Sequence, residues 1–345
     1  VGIAEKVKLV PLDKLKQLFG FDPPTKDGVN IVEAVEGLFD GTVKAFVSLG
    51  GNLLRAVPDQ ERMEKAWAAQ ELSVMVSTKL NRSHLFPAKL AYILPCLGRF
   101  EADEQTTGNQ TVTTEDSFSM INGSIGYRDP PSDMLKSELA IVTGIAKAAV
   151  PPLPDLKWDD WTGDYSLVRD LIEKTYPDDF RDYNLRMYDA GGFYRGNGAH
   201  ERIWKTPEGK AVFTTPGQLT SLGFQDAPGR YRLITLRSND QFNTTIYGYS
   251  DRLRGLEGSR DILLMCPEDI AEAGLTDGQT VTLVTDVDDG QDRRLGGLTL
   301  TAYKLPRGTL ASYYPECNVL MPISHHDTLS KTPASKSIPV KVERS

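Results

Sequence analysis

Near Leu219 the spacing of apolar residues changes, and no other feature of this sequence narrows its fold so far. Upstream, apolar side chains recur at helical intervals. Leu12, Leu15, Leu18 and Phe19 form one stripe ending at Gly20, and Ile31, Val35, Leu38 and Phe39 form another ending near Gly41. Downstream, short apolar runs alternate with turns: RLITL, ILLM, VTLVT, LTLTAY, TLASYY and IPVKV. One short helix interrupts them, PEDIAEAGL, with Pro267 at its first position and Gly274 as its stop. Short strands with one inserted helix predict a compact β-barrel. The expectation is therefore two domains, an α/β region over 1–220 and a barrel over 221–345, which the length of 345 residues also suggests.

The first region reads as a partial Rossmann-like parallel α/β domain. KAFVSLG is a short buried strand running into Gly50-Gly51-Asn52. A helical stretch opened by Pro58 follows, with Met63, Ala66 and Trp67 on one face, and LSVMV from Leu72 is a second strand. Strand, glycine turn, helix and strand make a βαβ unit, whose ligands sit beyond the carboxyl ends of the strands. Those ends carry Gly50, Gly51 and Asn52, then Ser77 and Thr78. From Arg99 to Asp129 the chain is rich in Thr, Asn, Gly and Gln, which fits either short strands or an excursion over a binding site. A helix is predicted from about Ser132, with Ser132 as its cap, through Leu135, Leu139, Val142 and Ile145. Asp164 leads a second, and Phe180, Tyr183 and Met187 mark a third that ends at Gly191-Gly192.

Composition removes several function classes. The net charge is −8 and the basic residues are scattered, whereas a nucleic-acid face needs them in a stripe. No run approaches the 18–20 apolar residues, roughly, of a bilayer span, so a cytoplasmic protein is expected, any upstream signal being outside view. Cys96, Cys266 and Cys317 are odd in number, widely spaced and form no CxxC, which reads as reduced structural thiols. The chain opens on Val1 rather than Met, consistent with a fragment, a processed form or one piece of a longer polypeptide.

The block CPEDIAEAGLTDGQTVTLVT, in which Gly274 stops the helix and Asp277-Gly278 turns into the next strand, resembles a recurrent element of double-psi β-barrels. The loops narrow the family. LRSNDQFNTTIYGYSDRLRG and the closing YYPECNVLMPISHHDTLSKTPASKSIPVKVE resemble the dinucleotide-binding domain that ends the molybdopterin oxidoreductases. FVSLGGN, VSTKLNRSH, ILPCLGRFE and TGNQTVTTEDSFSMINGSIG resemble the stretch before it. Together they are similar to the carboxyl-terminal half of formate dehydrogenase-like alpha subunits, in particular the YdeP-type branch.

That resemblance implies a bis-(molybdopterin guanine dinucleotide) cofactor with molybdenum, whose diphosphates call for glycine-freed amides and nearby cations. Gly50, Gly51 and Asn52 are the candidates for one nucleotide, and Arg237, Ser238, Asn239, Asn243 and Thr244 for the other. Asn318 and Lys336 lie in final loops that reach the cofactor in the family, and Asp327 is a candidate acceptor for a base or pterin amine. The cysteine motif for an iron–sulfur cluster and the segment supplying the metal's protein ligand are absent, so no catalytic or metal-binding residue is assigned. Both are expected in an amino-terminal half, the main partner, with an electron-transfer protein beyond it. The isolated chain is expected to be inactive.

Plainer readings stand beside these. Gly50-Gly51-Asn52 is also an ordinary strand-ending turn. Arg252, Arg254 and Arg260 read as ion pairs, His325-His326 lacks a third ligand for a metal, His84 is either a loop residue or a pterin contact, and Asp116 either lines a site or caps a turn. The whole chain has two further readings. One is a stand-alone nucleotide- or pterin-binding module, or a non-catalytic subunit paired with a separate catalytic half. The other, a self-processing double-psi enzyme, is disfavoured.

Overall fold

The computed structural model describes residues 11–213 and 227–345. Leu219 and the expected 220/221 boundary lie outside them. Among the described residues the chain packs as two units, one of 11–28, 76–79 and 93–213, the other of 29–75, 80–92 and 227–345.

The elements in chain order are α1 (Leu12–Phe19), α2 (Ile31–Phe39), β1 (Ala45–Leu49), α3 (Leu53–Ala56), α4 (Gln60–Ala69), β2 (Leu72–Ser77) and β3 (Leu90–Pro95). Then come β4 (Thr111–Glu115), β5 (Met120–Ile125), α5 (Glu138–Ala149), α6 (Trp158–Gly163), α7 (Tyr165–Thr175) and α8 (Tyr183–Arg186). The last group is β6 (Tyr231–Leu236), β7 (Ile262–Met265), α9 (Pro267–Glu272), β8 (Thr280–Thr285), β9 (Arg294–Ala302), β10 (Thr309–Tyr313) and β11 (Ile338–Arg344).

The sheet β1-β2-β3 keeps that order. The amides of Lys89 and Cys96 donate to the carbonyls of Gln70 and Ser77, the same sequence offset at both ends, as a parallel pair requires. α2 starts in a capping box between Asn30 and Glu33, both bonds 3.0 Å. Its stripe of Val32, Val35 and Leu38 buries against Met63 and Trp67 of α4, with Leu54, Met75 and Ile323.

Residues 99–129 are short strands rather than irregular chain. β4 and β5 form an antiparallel hairpin, with Thr111 opposite Ile125. The cap of α5 is Ser137, whose Oγ accepts from Ala140 N at 3.2 Å. Ser132 instead closes a separate turn on Met134 N, because the helix begins five residues later than the apolar spacing suggested. Asp164 caps α7 as expected. The third predicted helix shrinks to the single turn of α8, where Tyr183, Met187 and Phe193 pack on Ile121.

The second half closes into a six-stranded barrel of order β7-β9-β8-β11-β6-β10. β6 is parallel to β10 and β7 to β9, and the other neighbours are antiparallel. This is the double-psi topology expected from the sequence. Val281, Leu283 and Thr285 point inward along β8 while Thr280, Thr282 and Val284 do not, the period of two that closes a barrel around a core. Leu233, Leu263, Met265, Leu298, Leu300, Leu310, Ile338 and Val340 complete that core, each worth about 1.5–3 kcal/mol when fully buried. Because β6 and β10 are parallel, with Leu236 opposite Tyr313, both loops that follow them leave from one end of the barrel.

Candidate functional site

The loop after β6 is built around Arg260. It is buried, and its guanidinium donates to Ser238 Oγ at 2.8 Å, Gln241 Oε1 at 3.1 Å and Tyr314 O at 2.8 Å, and to both carboxylate oxygens of Glu316 at 2.7 and 3.0 Å. The arginine thus closes one loop against the other and is a structural ion pair, as its charge pattern suggested. Gln241 adds a second tie, its Nε2 donating to Asn243 O at 2.8 Å and to Tyr314 O. Asn243 stands at φ 49° in the two-residue turn of a small hairpin, with Phe242 opposite Thr245 and Thr244 completing the turn.

On this frame Arg237 reaches Asn243 Oδ1 at 3.4 Å and lies 5.6 Å from the centre of the Tyr314 ring. Lys336, from the loop before β11, donates to Thr235 O at the end of β6. Burial, with repulsion from Arg237 and Arg254, lowers the Lys336 ammonium from its ordinary pKa. Burial raises the Tyr314 phenol, against the pull of Arg237 and Arg55. Among the described residues no carboxylate lies within ion-pair distance of Arg237 or Lys336, whereas Arg254 is paired with Asp251. Asn239 accepts from Arg252 N at 3.1 Å, and its buried Nδ2 finds no partner among the described residues.

The turn after β1 belongs to the same unit. Gly50 and Gly51 take φ 62° and 76°, and a Cβ on either would meet nothing within 4 Å, so the turn is open on its outer side. The LNRSH segment holds its inner side. Asn81 Nδ2 donates to Gly51 O at 2.8 Å, and Ser83 Oγ donates to Asn52 Oδ1 at 3.2 Å and accepts from Leu54 N at 3.3 Å. His84 accepts from Asn81 N at 3.0 Å, which makes it part of that brace.

A clip then ties the segment after this turn to the barrel. Asn318 is buried and spends its Nδ2 on the carbonyls of Arg55 at 3.1 Å and Val57 at 2.7 Å. Asp59, at φ 53°, pairs with buried Arg293 at 2.5 Å and accepts from Ile323 N at 3.0 Å.

The structure therefore gathers Arg237, Ser238, Asn239, Asn243, Thr244 and Lys336 at one end of the barrel, while Asn318 is a backbone clamp on Arg55 and Val57. Asp327 is exposed and accepts from the amides of Leu329 and Ser330 at 3.0 and 2.7 Å. His325 and His326 bond to chain carbonyls, Ser337 O at 2.8 Å and Asp327 O at 2.9 Å. Ser77 and Thr78 belong to the other packing unit, where Ser77 Oγ donates to Lys79 O at 2.6 Å and Thr78 is exposed. Asp116 caps a turn on Phe118 and Met120. Sequence reasoning passed over Arg55, Gln241 and Tyr314. Arg55 carried a signal, being a cation three residues beyond a glycine turn.

Residues 231–339 match the family described as "Molydopterin dinucleotide binding domain". Protein YdeP of Escherichia coli K12 is 41% identical over 352 residues, an alignment covering all of this chain and 46% of that protein. The Mycobacterium tuberculosis protein named uncharacterized oxidoreductase Rv2900c is 40% identical over 349 residues, covering 99% of this chain and 44% of its own length. The chain thus spans about half the length of the curated relatives it matches. Acetylene hydratase from Pelobacter acetylenicus shares the fold, with a TM-score of 0.60 at 16% identity over 97% of this chain and 49% of that one. Residues 231–339 thus form a molybdopterin dinucleotide-binding domain, and over its whole length the chain is similar to the carboxyl-terminal part of molybdopterin oxidoreductase-like proteins.

Proposed function

We propose that the chain grips the nucleotide ends of a bis-(molybdopterin guanine dinucleotide) cofactor in a formate dehydrogenase-like oxidoreductase. The observation that carries the reading is the donor set at the carboxyl ends of β6 and β10. Arg237 and Lys336 have no carboxylate partner within ion-pair distance among the described residues, and Asn239 keeps a buried amide nitrogen unused. Cations with spare N–H donors suit a diphosphate, and a buried orphan amide suits a purine edge or a phosphate oxygen. Gly50 and Gly51 present an open turn of the kind that lets backbone amides approach a second nucleotide. When bound, the cofactor supplies the two-electron chemistry at its metal, and this chain supplies position and charge.

In this reading the metal's protein ligand and an iron–sulfur cluster come from the amino-terminal half, and the chain alone does not turn over formate. The test expresses the chain in cells that make the cofactor, alone and joined to the amino-terminal half of a YdeP relative. Metal, extracted nucleotide and dye-linked formate oxidation are then measured. The joined protein is expected to carry molybdenum and release guanine nucleotide, and the chain alone to fold without turnover. Stoichiometric molybdenum with turnover in the chain alone would overturn the half-site reading. Adenine or cytosine nucleotide would overturn the guanine assignment.

A further inference from the structure

Arg55 is a half-buried cation without a matching anion. Its Nη1 donates to Gln60 Oε1 at 3.1 Å, and Gln60 Nε2 returns a bond to Arg55 O at 3.1 Å, which fixes the guanidinium and leaves most of its donors free. The carboxylates that act on it electrostatically are committed elsewhere, Glu316 to Arg260 and Glu64 to Arg82 at 2.9 Å. Among the described residues none lies within ion-pair distance of Arg55 itself. Removing a guanidinium from water without a partner is unfavourable, and a fold rarely retains one unless something anionic completes it.

Its position follows from the backbone. Asn318 clamps the Arg55 carbonyl, and Asn318 stands four residues beyond Tyr314, the residue whose ring Arg237 overlies and whose carbonyl Arg260 and Gln241 hold. The Arg55 segment and the Arg237 loop are thus both tied to one short stretch of chain.

We propose that Arg55 is a further ligand of the cofactor's diphosphate, delivered by the Asn318 clamp to the anion site that Arg237 and Lys336 form. The inference rests on the cofactor reading above and deepens it. Asn318 becomes a positioning residue, its amide spent on the chain that carries Arg55. Burial, with repulsion from Arg237 and Arg254, disfavours the Lys336 ammonium, and a bound diphosphate relieves the repulsive part.

The experiment titrates the 345-residue chain with GDP and with inorganic pyrophosphate by calorimetry, and follows thermal unfolding of every variant. Arg55→Ala is expected to weaken both ligands roughly tenfold to a hundredfold, the range of a charge-assisted pair. Arg55→Lys should recover part of the loss, because a lysine keeps the charge but not the fork. Arg307→Ala, on an exposed side chain engaged with Asp269 and Glu272, should bind as the parent does. If Arg55→Ala unfolds, Arg55→Lys decides the matter by its affinity relative to the parent. Unchanged affinity in Arg55→Ala, or in Arg55→Lys if that variant has to decide, beside weakened binding in Arg237→Ala, removes Arg55 from the site and leaves the cofactor reading standing. Parent protein that binds neither ligand overturns both.

Discussion

Replacing Asp59 tests whether the segment after the glycine turn is clamped to the barrel as firmly as the geometry indicates. Asp59 and Arg293 are 6% exposed each, so their pair sits nearly out of water. Arg293 also donates to Asp289 at 3.0 and 2.8 Å, and Asp59 accepts from the Ile323 amide at 3.0 Å. Breaking a buried pair by removing one partner costs about 3–5 kcal/mol. Asp289 remains to share the guanidinium, which places Asp59→Ala near the low end. The stranded Ile323 amide adds about 1 kcal/mol, for a total of about 4 kcal/mol. Asp59→Asn keeps an acceptor and tolerates the left-handed backbone at φ 53°, so it loses chiefly the charge and should cost about half as much. At about 2–4 °C per kcal/mol for a unit of this size, Asp59→Ala should lower Tm by roughly 8–16 °C. Differential scanning calorimetry with urea titration measures both variants. A loss below about 1 kcal/mol in Asp59→Ala, or equal losses in the two, would refute the claim that a buried charge pair holds this junction.

Three further outcomes follow from the geometry. A Cβ at Gly126 would lie 1.9 Å from the Glu101 carbonyl oxygen, while one at Gly50 meets nothing within 4 Å. Gly126→Ala should therefore cost more than about 2 kcal/mol by forcing backbone apart, against about 1 kcal/mol for Gly50→Ala from its φ alone; equal losses in urea titration would contradict this. Hydrogen bonds from Arg293 hold the Asp289 carboxyl below the usual carboxylate range, so its stabilisation is full above roughly pH 4 and disappears as pH falls through the folded-state value. The stability gap between parent and Asp289→Asn should close on acidification, and a gap constant down to roughly pH 2 would be inconsistent with that linkage. All three cysteines are free and buried, and burial pushes the Cys317 thiol up to about 12. A thiol reagent at roughly pH 8 should consume them only after denaturant is added, and rapid native labelling of Cys266 or Cys317 would show that the barrel opens.

How much of this was legible in the sequence depended on how local the cause was. The barrel strands could be read because each is a short apolar run set off by turns, some with a period of two as at Val281 and Leu283, and α9 because Pro267 and Gly274 punctuate it in place. α5 was entered five residues early because Ser132 and Ser137 are both chemically able to cap. What selects Ser137 is Tyr165, 2.7 Å away in the fold and twenty-eight residues away in the chain. The candidate site shows the same division. Arg237, Asn243 and Lys336 could be named because whole loops resembled a family, yet the tie between Arg237 and Lys336 runs through Thr235 and Tyr314 and is not written in either loop. Asn318 was readable as a site residue and not as a clamp, since its partners are backbone carbonyls at Arg55 and Val57. A carbonyl leaves no trace in residue identity. Arg55 was missed for the converse reason. Arginine beside a helix is ordinary, and only the commitment of Glu64 and Glu316 to other cations makes this one stand out. A charge acquires meaning from which of its neighbours are already spent, and that accounting exists only in three dimensions.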